Sequence, residues 1–513
     1  MIKNNFLSFL KKSYFSYFLF AFIISLILFR GRLGSDDLEV FNYIYDFHQF
    51  NGSFFEFFNH LSSDKKLFYD DAQKHTFYTT LHRFTWLLQT GIIYFTTHKF
   101  LSLFGSENFF IIQYASGYAL TFSSVISIFL FNKILQKKNL DKVTSSYISI
   151  ILFFGTSLIF FFTGQYLESL SILLILNYIY FSNTYLRFLF GLLLLFTKPF
   201  YILVIFGLRV SELNNKKLYL NFTNIKALKD LFLLFFLYLL FFLLLSYTIG
   251  HTDFILSYFS SQQPTFDILK FIKNLFNFYF APGAGVIFSL LIPIILIAFG
   301  FKKDTMVKLL IILIISLMLS FWKGFHGGVP GSRYLLPFLF IFIDEYVLAI
   351  KNLINKKNKL FIIMLFALSL LNIPTLEYRN LAITEYSSGT INTMKPAGPT
   401  TSWTELEEGK RVDYVYYDWP INKFKFNSIY FGNYIIINKL LNRNELSIGN
   451  INFNTDNVYP QTGFARLIYI KNKNIDIKQK LVTNILYNYF NYFFYLYVFA
   501  LISFIIYFSN NLK

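Results

Sequence analysis

Asp36 and Asp37 stand side by side in "LFRGRLGSDDLEVF", residues 28–41, where an apolar run ends. A carboxylate held at a water boundary can take the proton from a hydroxyl and make its oxygen nucleophilic. The plainer reading is structural: Ser35 can cap a helix, and acidic residues in its first turn suit the helix dipole. Four more residues carry charge or polarity beside apolar runs. They are Glu168 in "FTGQYLES", Lys198 in "FTKPF", and His326 and Arg333 in "HGGVPGSRYLLP". A guanidinium at the mouth of an apolar run can grip a phosphate with its planar fork, and an ammonium adds a point charge. Arg333 and Lys198 are therefore the phosphate-binding candidates. Glu168 and His326 are candidates for substrate binding or for assisting a metal. Each has a bland alternative. Glu168 can be an interfacial residue at the end of a span, Lys198 can snorkel to headgroups, and 323–333 can be a plain flexible loop.

Other chemistries find no footing. No phosphate-cradling GxxxxGK[ST], HExxH or serine nucleophile elbow occurs. The absence of cysteine removes thiolate chemistry and disulfides. His75 and His82 lie seven apart on an amphipathic stretch, where an ordinary interfacial face outweighs a metal site. Asn51-Gly52-Ser53 meets the glycosylation pattern, but so short a match is common by chance.

These residues need a frame, and composition says what kind. Of 513 residues, 55% are hydrophobic and only 14% charged, and the mean hydropathy is +0.49. An average soluble domain is about a quarter charged. Several runs approach the ~20 apolar residues that cross a bilayer. The composition therefore predicts an all-α polytopic membrane protein in the cytoplasmic (inner) membrane. The net charge of +18 does not imply nucleic acid. The lysines cluster between apolar runs, as cytoplasmic loops should, rather than on a basic face with stacking aromatics.

The basic clusters set an orientation. Lys3, Lys11 and Lys12 place the N-terminus inside and the first span, about 13–30, uncleaved. Residues 31–107 then form a first outer loop whose 3–4 spacing predicts amphipathic juxtamembrane helices, with 84–104 kept interfacial. Further spans are expected at about 108–132, 144–162, 167–181, 231–249, 284–300, 307–321, 334–350 and 360–373, with 250–282 as an outer loop. The segment 185–208 reads as two short helices broken at Lys198-Pro199, because proline removes a donor and disfavours helix just before it. That puts Lys198 at the tip, on the outer side of the membrane. Residues 1–373 would be the membrane module and 374–485 a small α+β extracytoplasmic domain, with "RVDYVYYDW" and "FARLIYI" as strands. Residues 486–513 would form the last span and a cytoplasmic tail, for about twelve membrane segments in all.

Taken together, a first span followed by an acidic pair, juxtamembrane helices, a mid-chain "TKP" break and "GSRYLLP" opening a late span resemble the GT-C superfamily of integral-membrane glycosyltransferases. The similarity is to the bacterial branch of protein mannosyltransferases and lipid A aminoarabinose transferases, and it covers nearly the whole chain in organisation. It implies a sugar donor on a polyprenyl phosphate, an acceptor that is a glycan, lipid or protein, and an active site on the extracytoplasmic face. It implies that Asp36 or Asp37 is the general base, with Lys198 and Arg333 near the lipid phosphate and Glu168 at an acidic position of the second outer loop. The family's Asp-Glu pair is Asp-Asp here, so the choice between them stays open. The resemblance names no definite cofactor, and a divalent cation is an option. Two rivals stand beside this reading. One is a transporter or flippase, which Asp344 and Glu345 within "FIFIDEYVLAI" would suit. The other is a polymerase or ligase for lipid-linked glycans.

Overall fold

The computed structural model describes chiefly residues 109–156, 167–215, 225–249, 268–280, 286–321 and 333–355. Short pieces within 96–103, 381–382, 414–415 and 441–454, and single residues elsewhere, complete it. The described residues are mainly helical. Asp36, Asp37, His75, His82, residues 51–53 and His326 lie outside them, as do "FARLIYI", the last span and most of 31–107.

Helix α1 (Phe109–Lys137) runs to a tight reversal and α2 (Lys142–Phe154). Asn139 adopts φ 63° there, a left-handed conformation that Asn tolerates at a helix end. Asp141 then caps α2 by accepting from the Thr144 amide at 2.9 Å. Helix α3 (Leu167–Tyr180) is followed by α4 (Thr184–Thr197), which Asn183 caps by accepting from the Tyr185 and Leu186 amides. A 3-10 turn, Pro199–Tyr201, leads into α5 (Ile202–Asn215). After α6 (Ile225–Ile249) come α7 (Ile268–Phe280), the short α8 (Val286–Ser289), α9 (Leu291–Phe299) and α10 (Thr305–Ser320). A ten-residue 3-10 segment, Arg333–Phe342, continues as α11 (Ile343–Asn355). Runs of 3-10 helix this long are uncommon; Pro337 lies inside this one, where its missing N–H and ring disfavour α geometry.

The α4–α5 break is a true reversal. Arg187, near the start of α4, pairs with Glu212, near the end of α5, at 2.5 Å. Lys198-Pro199 therefore forms the tip of a helical hairpin, as the sequence predicts. Helix α10 lies antiparallel to the Arg333–Asn355 rod, because Thr305 and Lys308 at its start both reach Glu345. Between them Gly207 of α5 leaves no spare room: a methyl there would sit 3.3 Å from Ile311 and 3.4 Å from Ile341.

The core centres on Phe131, Phe153, Phe162 and Phe340. Phe131 meets Phe153 and Phe340 edge-on, with ring centroids 5.7 and 5.5 Å apart, the arrangement that ring quadrupoles favour. Gly300 marks the closest backbone approach. A β-carbon there would overlap the Glu345 carbonyl, a backbone group that cannot rotate away. Gly300→Ala is expected to destabilise the fold by roughly 3 kcal/mol, the upper range for overpacking. A fall in the thermal midpoint of the purified protein would register it, and an unchanged midpoint would refute the contact.

Apolar and ionic side chains are distributed against the usual pattern. Glu168, Lys308 and Glu345 are fully buried, while Phe232, Phe236 and Leu243 along α6 are 60% exposed or more. Outward-facing Met306, Leu310 and Met318 repeat this along α10. Taken over the described residues, no helix is long and apolar enough to cross a membrane.

Two features differ from the sequence reading. Residues 250–282, expected as an outer loop, contain α7. Its apolar residues recur at 3–4 spacing, and its inner face packs on the end of α10 through a Phe271–Phe321 stack. In 374–485 the described elements are strands. β1 (Leu381–Ala382) pairs antiparallel with β2 (Tyr414–Val415), which falls inside "RVDYVYYDW". β3 (Glu445–Ile448) pairs with β4 (Ile451–Asn454) in a hairpin that the sequence reading missed.

Candidate functional site

Glu168 opens α3, with its carboxylate in the first turn where the helix dipole favours it. Lys198 ends α4. The proline that follows pushes it out of helical geometry to φ −154°, ψ 123°, so the chain turns at this residue. Its ammonium donates to the Glu168 carboxylate in a direct ion pair. The same ammonium lies 4.2 Å from the centre of the Tyr334 ring, a cation–π contact. Next to the pair, Ser171 donates to Thr197 at 3.1 Å, tying α3 to the end of α4 once more. The turn is keyed to the 3-10 segment by aromatics. Phe200 stacks on Phe338 at 6.3 Å, and Tyr201 meets the same ring at 5.9 Å.

Three sequence-predicted residues are thus drawn together. Glu168 and Lys198 touch, and Arg333 is the chain neighbour of Tyr334, whose ring sits against Lys198. Lys198 is at the hairpin tip, as the sequence predicts, and its side chain is packed inside. It is 5% exposed and turned into the bundle, because a buried carboxylate and an aromatic face compensate its charge. Glu168 is fully buried as well, which sets aside the plainer alternative of an exposed residue at the end of a span. Tyr334 was not singled out by the sequence. Its position directly after Arg333 was the only signal.

A second ionic cluster occupies the middle of the rod, just past the end of its 3-10 segment. Lys308 donates to both oxygens of Glu345 at 2.7 and 2.8 Å, and Thr305 donates to one of them at 2.9 Å. Asp304 lies 3.8 Å from the same ammonium. Beside it, Lys138 pairs with Asp344 at 2.5 Å. Residues 335–342, eight residues of 3-10 helix or about 16 Å at its rise per residue, lie between Tyr334 and the helix that carries Asp344 and Glu345. The remaining basic contacts gather near the second cluster's end. There, Lys137 donates to the Tyr180 carbonyl, and Arg187 and Arg209 share Glu212. Among the described residues no group of three or more His, Asp or Glu could hold a metal.

Over the described residues the architecture is mainly helical, with ionic pairs sealed inside beside the apolar core and further large apolar side chains turned out along α6 and α10. No family model, no curated protein and no solved structure matches the chain.

Proposed function

We propose that the protein is a polytopic membrane glycosyltransferase. It moves a sugar from a polyprenyl-phosphate donor to an extracytoplasmic acceptor, with inversion at the anomeric carbon. The observation that carries this reading is the Glu168–Lys198–Tyr334 assembly beside the start of the Arg333 segment. It supplies a positioned cation and an aromatic wall at one end of the bundle, away from the cluster of lysine and arginine contacts at the other.

A bilayer setting is supported by the inverted distribution of side chains. Large apolar residues facing out along α6 and α10 suit acyl chains, whereas water would leave them an aggregation hazard. Buried serines bond back to their own helix, Ser149 to the Ser145 carbonyl and Ser320 to that of Ser316, and so present small surfaces where helices meet. With the Lys137–Lys142 reversal on the cytoplasmic side, the Lys198 tip lies on the extracytoplasmic side.

In the reaction the acceptor oxygen attacks the anomeric carbon, and its proton passes to Asp36 or Asp37. The bond to the polyprenyl phosphate breaks with its electron pair going to the phosphate. Arg333 and Lys198 stabilise the charge that grows there. Glu168 and Tyr334 hold Lys198 in place and keep its charge from being solvated. A phosphate is a good leaving group, so one base is enough and no second carboxylate acid is needed. Asp344 and Glu345, the residues that suit a transporter, are paired with Lys138 and Lys308.

The test is transfer from a panel of synthetic polyprenyl-phosphate sugars by the purified, reconstituted protein. Wild type should label an envelope acceptor, and Lys198→Met should lower turnover by roughly 10²-fold. If no donor in the panel is consumed, the reading fails. If Lys198→Met is fully active, the assignment of Lys198 fails.

A further inference from the structure

Helix α7 divides its circumference into three arcs. At about 100° per residue, Phe271, Asn274 and Phe278 fall on one arc, and this arc is packed. Phe271 stacks on Phe321 at 4.1 Å, Asn274 donates to the Ser320 carbonyl at 3.0 Å, and Phe278 is buried. Ile268, Leu269, Ile272, Phe276 and Phe280 fall on a second arc, and all are at least half exposed. Lys270 and Lys273 are also exposed and occupy a third arc, flanking the apolar one. The helix contains no acidic residue.

The geometry points to α7 as an interfacial anchor that lies in the headgroup layer of the leaflet beside the candidate site and prefers anionic phospholipids. Three neighbours are needed to satisfy three arcs. The packed arc takes the protein, the exposed apolar arc takes acyl chains, and the lysine flank takes phosphate-bearing headgroups. Charge decides the occupant. A second copy of this chain, with its net charge of +18, would bring more positive charge to Lys270 and Lys273, whereas an anionic headgroup layer complements both. The location gives the anchor a role. It packs on the Ser320–Phe321 end of α10, and α10 runs antiparallel to the rod, so this end lies towards Tyr334 and Lys198. The anchor thus fixes the depth of the candidate site at the level where a lipid-linked phosphate sits. This inference rests on the membrane part of the proposed function and not on the sugar chemistry.

The chain has no cysteine, so single cysteines carrying a fluorophore report cleanly. Labels at Leu269 and Phe276 are read in vesicles of mixed phosphatidylglycerol and phosphatidylcholine, with a label at Leu243 on the exposed face of α6 as reference. Gel filtration and the thermal midpoint check that each variant is folded. Quenchers attached near the lipid glycerol should quench both α7 labels, while deep acyl quenchers act best on Leu243. Anionic quencher lipids should act more strongly than zwitterionic ones on α7. Lys270→Gln with Lys273→Gln should erase that preference, by about fivefold per lysine. Quenching by aqueous iodide and not by lipid would put α7 in water and overturn the anchor. Quenching by neither would mean that protein, such as a second copy, covers the arc, and this also overturns it. If Leu243 too is reached only by iodide, the membrane reading itself falls, and the two failures are thereby distinguished.

Discussion

Lys308→Met is expected to destabilise the protein by about 3–5 kcal/mol, the usual cost of stripping a buried carboxylate of its partner. The site permits no escape to solvent. Lys308, Glu345 and Thr305 are all fully buried, and after the substitution the Thr305 hydroxyl would be the only one of these donors left to Glu345. The double variant Lys308→Met with Glu345→Leu should recover most of the loss. Replacing a whole buried pair by apolar residues of similar size is often neutral or better. Denaturation of the two variants and wild type in the same detergent measures this. Should the double variant be as unstable as the single, charge compensation is not what the pair provides, and the Gly300–Glu345 backbone contact would be the feature that matters. Activity in the double variant should persist, since eight residues of 3-10 helix, about 16 Å, lie between Tyr334 beside Lys198 and the helix that carries Glu345.

The second large effect is on chemistry. Asp36→Asn should lower transfer by ~10²–10⁴-fold, the typical cost of losing a general base. The amide keeps the size and hydrogen-bonding reach of the side chain but cannot accept a proton at neutral pH. On the proposed function, two adjacent aspartates on a helix would point about 100° apart and could not both address one acceptor. Asp36 is the nearer in sequence to the preceding apolar run and is assigned the base, so Asp37→Asn should leave a measurable remnant. Purified variants matched for expression, assayed with one donor, separate the cases. A dead Asp37→Asn beside an active Asp36→Asn would exchange the two roles. Activity in both would return the acidic pair to the helix cap that Ser35 can open.

What could be read ahead of the structure follows a physical divide. The turn at Lys198-Pro199 was legible because proline acts locally, on its own residue and the one before. Helix positions such as Leu167–Tyr180 and Thr305–Ser320 were legible as apolar runs between polar ends. Partner choice was not. Nothing in "FTGQYLES" says that Glu168 will meet a lysine 30 residues later, and nothing near Lys308 names Glu345, 37 residues on. Asp344 and Glu345 looked like isolated charges in an apolar run only because their lysines lie elsewhere in the chain. Helix α7 carried its signal in its spacing, but the surrounding polar residues, histidine and prolines masked it. The β3–β4 hairpin was missed although Gly449-Asn450, the two residues between the paired strands, are of the kind that tight reversals favour.

The hairpin tip also imposes an order on biogenesis. Synthesis proceeds at about 5–20 residues per second, so Glu168 leaves the ribosome roughly 2–6 seconds before Lys198. For that interval α3 carries a carboxylate with no counter-ion, and it cannot settle in its final place. The later cluster reverses the sequence of events, since Lys308 is made first and Glu345 follows. Each ion pair is therefore completed only when its later partner has been made, Lys198 for the hairpin and Glu345 for the rod.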